Sequence, residues 1–517
     1  MPIAIASQTT SDKIPIKKAD RVKKKTVRQK AVHLPQNRTA QQSNTYPKAL
    51  KESFHSDASI REMIRENIPD AQSTGVVVGL LEPDGRRRVI AYGGSGLNAP
   101  PLDGESVFEI GSITKVFTGV LLADMVRRGE VKLSEPLARL LPNVNVPSRN
   151  GKEITLLDLA THTSGLPTMP GNFPKSETPK DYADYTVREM YDFLSGYKLT
   201  RDPGQSDQYS NFASLTGHAL ALIAGKSYEA LLRERVLLPL KMNQTAITLT
   251  PELQKRFTSG HDRFGESQPY FIAPAFIPSG GLKSTVNDML DFAAANLKRN
   301  NTGINAALKD SHRPQRPLGD SGEFWGLGWG VDSINNEIGH SGNTFGYNGF
   351  ININLKRRRA IVVLSNISGN NANTLGIHLL YPEKYPLKKP SIGLAVAAIY
   401  RSKGVNKAIE HYRSLLGTAR NLWNFEETEI NDFGYWLLKR KSNKDAIAVF
   451  RLNVEMYPES PNSHDSLGDA YRAANQLNEA IESYRKAVGL AEKSNHPSLA
   501  SYSKSLESTI KQLNSQK

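Results

Sequence analysis

The spacing of apolar positions changes along this chain, and each change predicts a different kind of structure. Up to about residue 55 the text is polar and shows no period. From Ile60 the run SIREMIREN places apolar residues three and four apart, the spacing of one helix face. GVVVGLLEP follows, a short apolar run between Gly75 and Pro83 that reads as a buried strand. The turn Glu82-Pro83-Asp84-Gly85 leads into RRRVIAYGG, its hairpin partner. A second strand group comes late: FININ alternates, LKRRR turns, and AIVVLSN is a buried return strand. Between the two groups the pattern is mostly helical. Strands at both ends of a long helical middle predict an α+β domain whose sheet is closed by its early and late segments.

After about Pro390 a repeat of 34 residues sets in. Phe433-Gly434 matches Leu467-Gly468, Asp445-Ala446-Ile447 matches Glu479-Ala480-Ile481, and Phe450-Arg451 matches Tyr484-Arg485. An earlier, imperfect copy reads KAIEHYR from Lys407 to Arg413. With Tyr457-Pro458, this pattern resembles tetratricopeptide repeats. Each such repeat is a helical hairpin that buries its face only against its neighbours. The stretch from Tyr381 to Pro390, rich in proline and lysine, is the expected linker. The expected organisation is a basic arm over 1–55, an α+β domain over 56–380 and an all-α helical-hairpin repeat domain over 391–517.

Composition narrows the functional classes. Hydrophobic residues make up 38% of the 517, enough for large cores, and no apolar run reaches the length of a membrane helix. The chain has no cysteine, which excludes disulfides, thiolate metal sites and a cysteine nucleophile. The formal charge of +15 is unevenly spread: Lys13 to Lys30 reads KIPIKKADRVKKKTVRQK. Such a block repels itself, so it is expected to be a disordered, solvated arm, with no nucleic acid as partner. The start, MPIAIASQTTSDKI, lacks a charged region followed by a long apolar stretch. The expectation is cytoplasmic, with export by an unrecognised route as the alternative. No Gly-x-x-x-x-Gly-Lys and no His-Glu-x-x-His occurs, so neither a metal nor another cofactor is expected.

Three short motifs carry candidate chemistry. Phe108-Glu109-Ile110-Gly111-Ser112-Ile113-Thr114-Lys115 precedes an apolar helical pattern, which puts Ser112 in the first turn of a helix. Lys115 lies three residues on, on the same face. A helix N-terminus favours a developing oxyanion, and a buried lysine loses pKa and can act as a base. The plainer alternative is a capping serine and a surface lysine. The second motif is Asp207-Gln208-Tyr209-Ser210-Asn211-Phe212, in a loop before the helix SLTGHALALIAG. Its Tyr209 can shuttle a proton and its Asn211 can hold a substrate carbonyl, or the two can be a loop plug and a helix cap. The third is His340-Ser341-Gly342-Asn343, read as a strand edge whose glycine lets a substrate backbone approach. Its plainer alternative is a satisfied histidine on a strand.

In this order the three motifs resemble those of the penicillin-recognising serine hydrolases. The flanking segments Leu159 to Pro167 (LATHTSGLP), Pro278 to Thr285 (PSGGLKST) and Trp325 to Trp329 (WGLGW) resemble signatures of the class C β-lactamase-like family. The resemblance covers about residues 60 to 370. It implies a β-lactamase/transpeptidase-like fold, a mixed sheet flanked by helices plus a helical lobe, with the site between them. It also implies Ser112 as nucleophile, Lys115 and Tyr209 sharing the base role, and Tyr209 returning the proton to the leaving group. Asn211 would bind the substrate amide, and His340, Gly342 and Asn343 would form the substrate-binding strand. The backbone N–H groups of Ser112 and Asn343 would form the oxyanion hole, while LATHTSGLP and PSGGL would be scaffolding and His162 structural.

One departure qualifies the substrate. Many members have lysine where this chain has His340, and histidine is largely neutral near pH 7. The expected activity is therefore acyl-enzyme hydrolysis of a small ester, amide or peptide-like substrate: an esterase, D-Ala-D-Ala carboxypeptidase or β-lactamase type, with β-lactam and D-Ala-D-Ala substrates disfavoured by His340, which fits the family's esterases and D-amino-acid peptidases. The alternative is a penicillin-binding or repeat-mediated scaffold or sensor with little turnover, its repeats meeting a protein partner.

Overall fold

The computed structural model describes residues 54–67, 74–95, 100–298, 303–369 and 371–516, so the expected basic arm lies almost wholly outside the described residues. The apolar run and its turn form the hairpin β1 (Gly75–Leu81) and β2 (Arg87–Gly93). Three short strands follow late, β3 (Arg316–Leu318), β4 (Glu323–Trp325) and β5 (Gly330–Asp332). Three long ones complete the sheet, β6 (Glu337–Asn343), β7 (Asn348–Asn354) and β8 (Arg359–Ser365). The spatial order is β2-β1-β8-β7-β6-β5-β4-β3, so early and late segments meet at β1 and β8, with Val76 opposite Ser365. Each pairing inside this sheet is antiparallel. Among the described residues, parallel pairing is confined to isolated bridges such as Val107 with Phe257.

Strand β1 is apolar throughout because both of its faces are covered. Val76, Val78 and Leu80 share one cluster with Ile60 and Ile64 of α1 (Asp57–Asn67). Val77 and Leu81 point the other way, into the large core. That core is built with α2 (Thr114–Arg127), α3 (Ser214–Ala224) and α4 (Val286–Asn296). Each fully buried side chain of this kind contributes roughly 1.5–3 kcal/mol. Gly79 brings α4 directly onto β1, since a Cβ there would lie 2.4 Å from a methyl of Val286. Helix α5 (Asn371–Leu380) joins α1 on the opposite face through Leu375 and Leu379. From Thr114 to Met125 every residue of α2 is buried, which makes it the central helix between sheet and helical lobe.

The C-terminal region is all helical. It comprises α6 (Ile392–Thr418), α7 (Glu427–Lys439), α8 (Asn443–Met456), α9 (Pro461–Ala473), α10 (Leu477–Lys493) and α11 (Leu499–Ser515). Helices α9 and α10 begin 34 residues after α7 and α8 (461 − 427 and 477 − 443). The reason for the repeated glycine is a close helix crossing. A Cβ at Gly434 would lie 2.5 Å from the Phe450 ring, and one at Gly468 would lie 2.6 Å from the Tyr484 ring. KAIEHYR occupies the second part of α6, after a break at Gly404 (φ 79°), and buries Ala408 and Tyr412. No described helix is long and apolar enough to cross a membrane.

Candidate active site

Ser112 does not start a regular helix. It sits in the 3-10 turn Gly111–Ile113, which runs straight into α2 and still places Lys115 below it. Gly111 takes φ +50°, a left-handed conformation suited to glycine. Thr114 ties the turn down: its hydroxyl donates to Gly111 O and accepts from Leu282 N. Lys115 Nζ lies 2.9 Å from Ser112 Oγ, 3.0 Å from Ser279 O and 3.4 Å from Asn211 Oδ1. All three partners are neutral oxygens. Lys115 is buried with no carboxylate to hold its proton, and burial pushes its pKa down to about 7.

Tyr209 and Asn211 reach the same lysine from the facing loop. The Tyr209 ring centroid is 4.8 Å from Lys115 Nζ. Burial raises the phenol above its ordinary pKa, and Ser112 partly opposes this. The hydroxyl faces Ser112 without completing a well-formed hydrogen bond to any protein atom. Ser210, between them, is the cap: its Oγ accepts from Phe212 N. Asn211 is thereby left to the site, its Nδ2 donating to Met169 Sδ at 3.0 Å.

The third motif lies on β6. Strand β5 pairs only with Glu337 to Gly339, so His340 to Asn343 run on with one edge unpaired by strand. The Ser112 turn fills the near end of that edge. A Cβ at Gly342 would lie 2.0 Å from Ile110 O, and one at Gly111 would lie 2.8 Å from Asn343 N. The glycine therefore admits the Ser112 turn itself, at the strand edge where the sequence places a substrate backbone. The backbones of Ser112 and Asn343 are brought side by side, whereas the Asn343 side chain turns away to accept from Asn348 Nδ2. His340 is buried. Its Nδ1–H donates to Ser341 O, and its Nε2 has no protein partner. Burial, with Lys115 nearby, lowers its pKa to about 3, so the ring is neutral.

The flanking signatures position these groups. PSGGL supplies Ser279 O to Lys115 and Pro278 O to Thr118. WGLGW packs on α2, where a Cβ at Gly119 would lie 1.8 Å from Leu327 O. LATHTSGLP and the residue after it cradle the tyrosine loop: Thr163 O accepts from Gly204 N, Pro167 O from Ser210 Oγ, and Thr168 O from Asn211 N. The contributions of Ser279 O and Met169 Sδ escaped the sequence reading. Among the described residues no cluster of three or more His, Asp or Glu could hold a metal ion.

The family model described as Beta-lactamase matches residues 60–379. A β-lactamase of Escherichia coli K12 is 31% identical over 44% of this chain and 58% of its own length. The D-alanyl-D-alanine-carboxypeptidase/endopeptidase AmpH of the same strain is 36% identical over 42% of this chain and 56% of its own length. The chain thus spans a little over half the length of these curated relatives. In fold, it is similar to a β-lactamase/D-alanine carboxypeptidase from Pseudomonas syringae, with a TM-score of 0.53 and 20% identity over 64% of this chain and 98% of that one. A class C β-lactamase from Rhodobacter sphaeroides gives 0.53 and 22% over 63% and 99%. With its family model spanning more than half of its residues, the chain belongs to the β-lactamase family.

Proposed function

We infer that this chain is a serine hydrolase that forms an acyl-enzyme at Ser112. The observation that carries the reading is the 2.9 Å separation between Ser112 Oγ and a buried Lys115 amine whose pKa lies near 7. At neutral pH a large share of that amine is unprotonated. It takes the hydroxyl proton as Oγ bonds to a substrate carbonyl carbon. The oxyanion is received by the N–H groups of Ser112 and Asn343, a kind of donor worth ~10²–10³ in rate. Tyr209, kept protonated by burial, gives its proton to the leaving group, and the proton held by Lys115 replaces it. Water then attacks the ester carbonyl through the same groups in reverse.

The neutral His340 offers no fixed cation, which supports uncharged or peptide-like acyl groups. The names of the relatives, D-alanyl-D-alanine carboxypeptidase and β-lactamase, place peptide and β-lactam carbonyls beside simple esters as substrates to try. The 34-residue offset of the C-terminal helices supports reading residues 391–517 as tetratricopeptide-type repeats that follow a hydrolase domain over 56–380.

The test is intact-mass analysis after exposure to a fluorescent penicillin, a fluorophosphonate, p-nitrophenyl acetate and a D-Ala-D-Ala peptide. At least one probe should leave an adduct on the wild type and none on Ser112→Ala. Equal labelling of both proteins, or no adduct with any probe, rejects the reading.

A further inference from the structure

His162 has no part in the chemistry above, yet it meets the Tyr209 loop through both its backbone and its ring. It lies just beyond the short helix Leu156–Ala160 and adopts φ +58°, uncommon for a histidine. Residues held in such conformations cluster at functional sites. The backbone carbonyl of His162 accepts from Gln208 N at 2.8 Å, and its Nδ1 accepts from Ser210 N at 3.1 Å. One residue therefore grips the amides on both sides of Tyr209. Its ring also packs on the Tyr209 ring, with centroids 4.4 Å apart, and is backed edge-on by Trp325 at 4.7 Å.

The acceptor role fixes the tautomer. A backbone N–H can only donate, so Nδ1 carries a lone pair and the ring proton sits on Nε2. Nε2 is buried without a protein partner, as is Thr216 Oγ1. Both residues line a cavity of about 10 Å³ together with Lys115, at the lower limit for one water. The titratable groups facing the ring are Lys115, Tyr209 and His340. Burial and these neighbours hold the imidazole well below its usual pKa, in agreement with the neutral form that the hydrogen bond requires.

We propose that His162 is the positioning residue of Tyr209: as a neutral ring with its proton on Nε2, it holds the backbone on both sides of the tyrosine and packs against the phenol. This rests on the hydrolase reading and adds the element that aims its proton donor.

Two substitutions separate the contributions of the ring. His162→Asn keeps an acceptor near Nδ1 and tolerates positive φ. His162→Phe keeps a flat ring and loses the acceptor. The rate of Ser112 acylation by an alkyl ester or amide, whose leaving group needs a proton, should fall roughly 10²-fold in the phenylalanine variant, with KM little changed, and recover to within about tenfold of wild type in the asparagine variant. A role in filling space predicts the reverse order, and that order overturns the proposal. If the phenylalanine variant does not fold, ¹⁵N shifts of wild-type His162 decide. A lone pair on Nδ1 with coupling to the Ser210 amide upholds the proposal, and a protonated Nδ1 overturns it. Failure of the hydrolase reading shows differently, as a wild type that no acyl probe labels.

Discussion

At the scale of single residues, Lys115, the proposed base, bears on both a rate and a stability. Its amine must lose a proton to act as base, so acylation of Ser112 should rise with pH through a midpoint near 7, the value to which burial lowers it. Stopped-flow acylation between pH 5.5 and 9 checks this. A flat profile in that range would transfer the base role to another group. Lys115→Arg, which keeps its charge at every such pH, should show no rise and little acylation. The stability effect has a definite sign. The unfolded chain keeps the lysine proton up to about its ordinary pKa, while the fold releases it near 7. Between these values the unfolded state binds more protons, so this residue makes the fold more stable as pH rises toward 10 and costs most at pH 7 and below. Lys115→Met should therefore be more stable than wild type at pH 7, on the order of a few kcal/mol, with a margin that shrinks at pH 10 in thermal melts.

At the scale of elements, the site is a set of close backbone approaches that glycine permits. The Gly342 position is the clearest case, because a Cβ there would sit 2.0 Å from Ile110 O. Gly342→Ala must push β6 away from the Ser112 turn and separate the two N–H donors. The expected loss is ~10² or more in kcat, with KM changed much less, read by steady-state ester hydrolysis. Gly468→Leu tests the analogous crossing in the helical region, where Tyr484 lies against the glycine. It should destabilise α9 and α10 by about 1–3 kcal/mol, seen as faster amide exchange there, and leave Ser112 acylation unchanged. These positions also mark how far the sequence could be read. The hairpin, the late strands and the 34-residue period were legible because periodicity is local and side chains carry it. Strands β3, β4 and β5 have three residues each, too few for an alternation to register. Ser112, Lys115, Tyr209 and Asn211 were legible as motif residues, and the structure brings all four together. Ser279 was not, because its part is played by a carbonyl that any residue would provide. The grip of His162 on the tyrosine loop was missed for a related reason: it depends on a positive φ and on neighbours 46 and 48 residues away.

At the scale of the whole described molecule, one segment joins the helical region to the end of β6. Residues 258–268 are stitched to the turn after Asn343: His261 N donates to Gly346 O, and Tyr347 Oη donates to Thr258 O. The far end of the segment is held by the helices. Asp262 accepts from Trp436 Nε1 at 2.7 Å and from Arg440 Nη2 at 2.9 Å. Phe264, only 3% exposed, packs against Phe433 and Trp436 at 5.6 Å, and Arg401 donates to its carbonyl. A ring buried this way costs about 3–5 kcal/mol when truncated to alanine. That loss falls on the junction rather than on α2 and the turn before it, where Lys115 and Ser112 are anchored by separate bonds. Phe264→Ala should therefore speed amide exchange in 258–268 and α7 and also in 343–347, leave α2 protected, and slow acylation by a small factor. Hydrogen-exchange mass spectrometry with a burst assay distinguishes the outcomes. If exchange rises only in the helices, they are attached to the hydrolase without supporting its oxyanion strand. If it rises across the junction and in 343–347 together, the helical region is part of what keeps Asn343 beside Ser112.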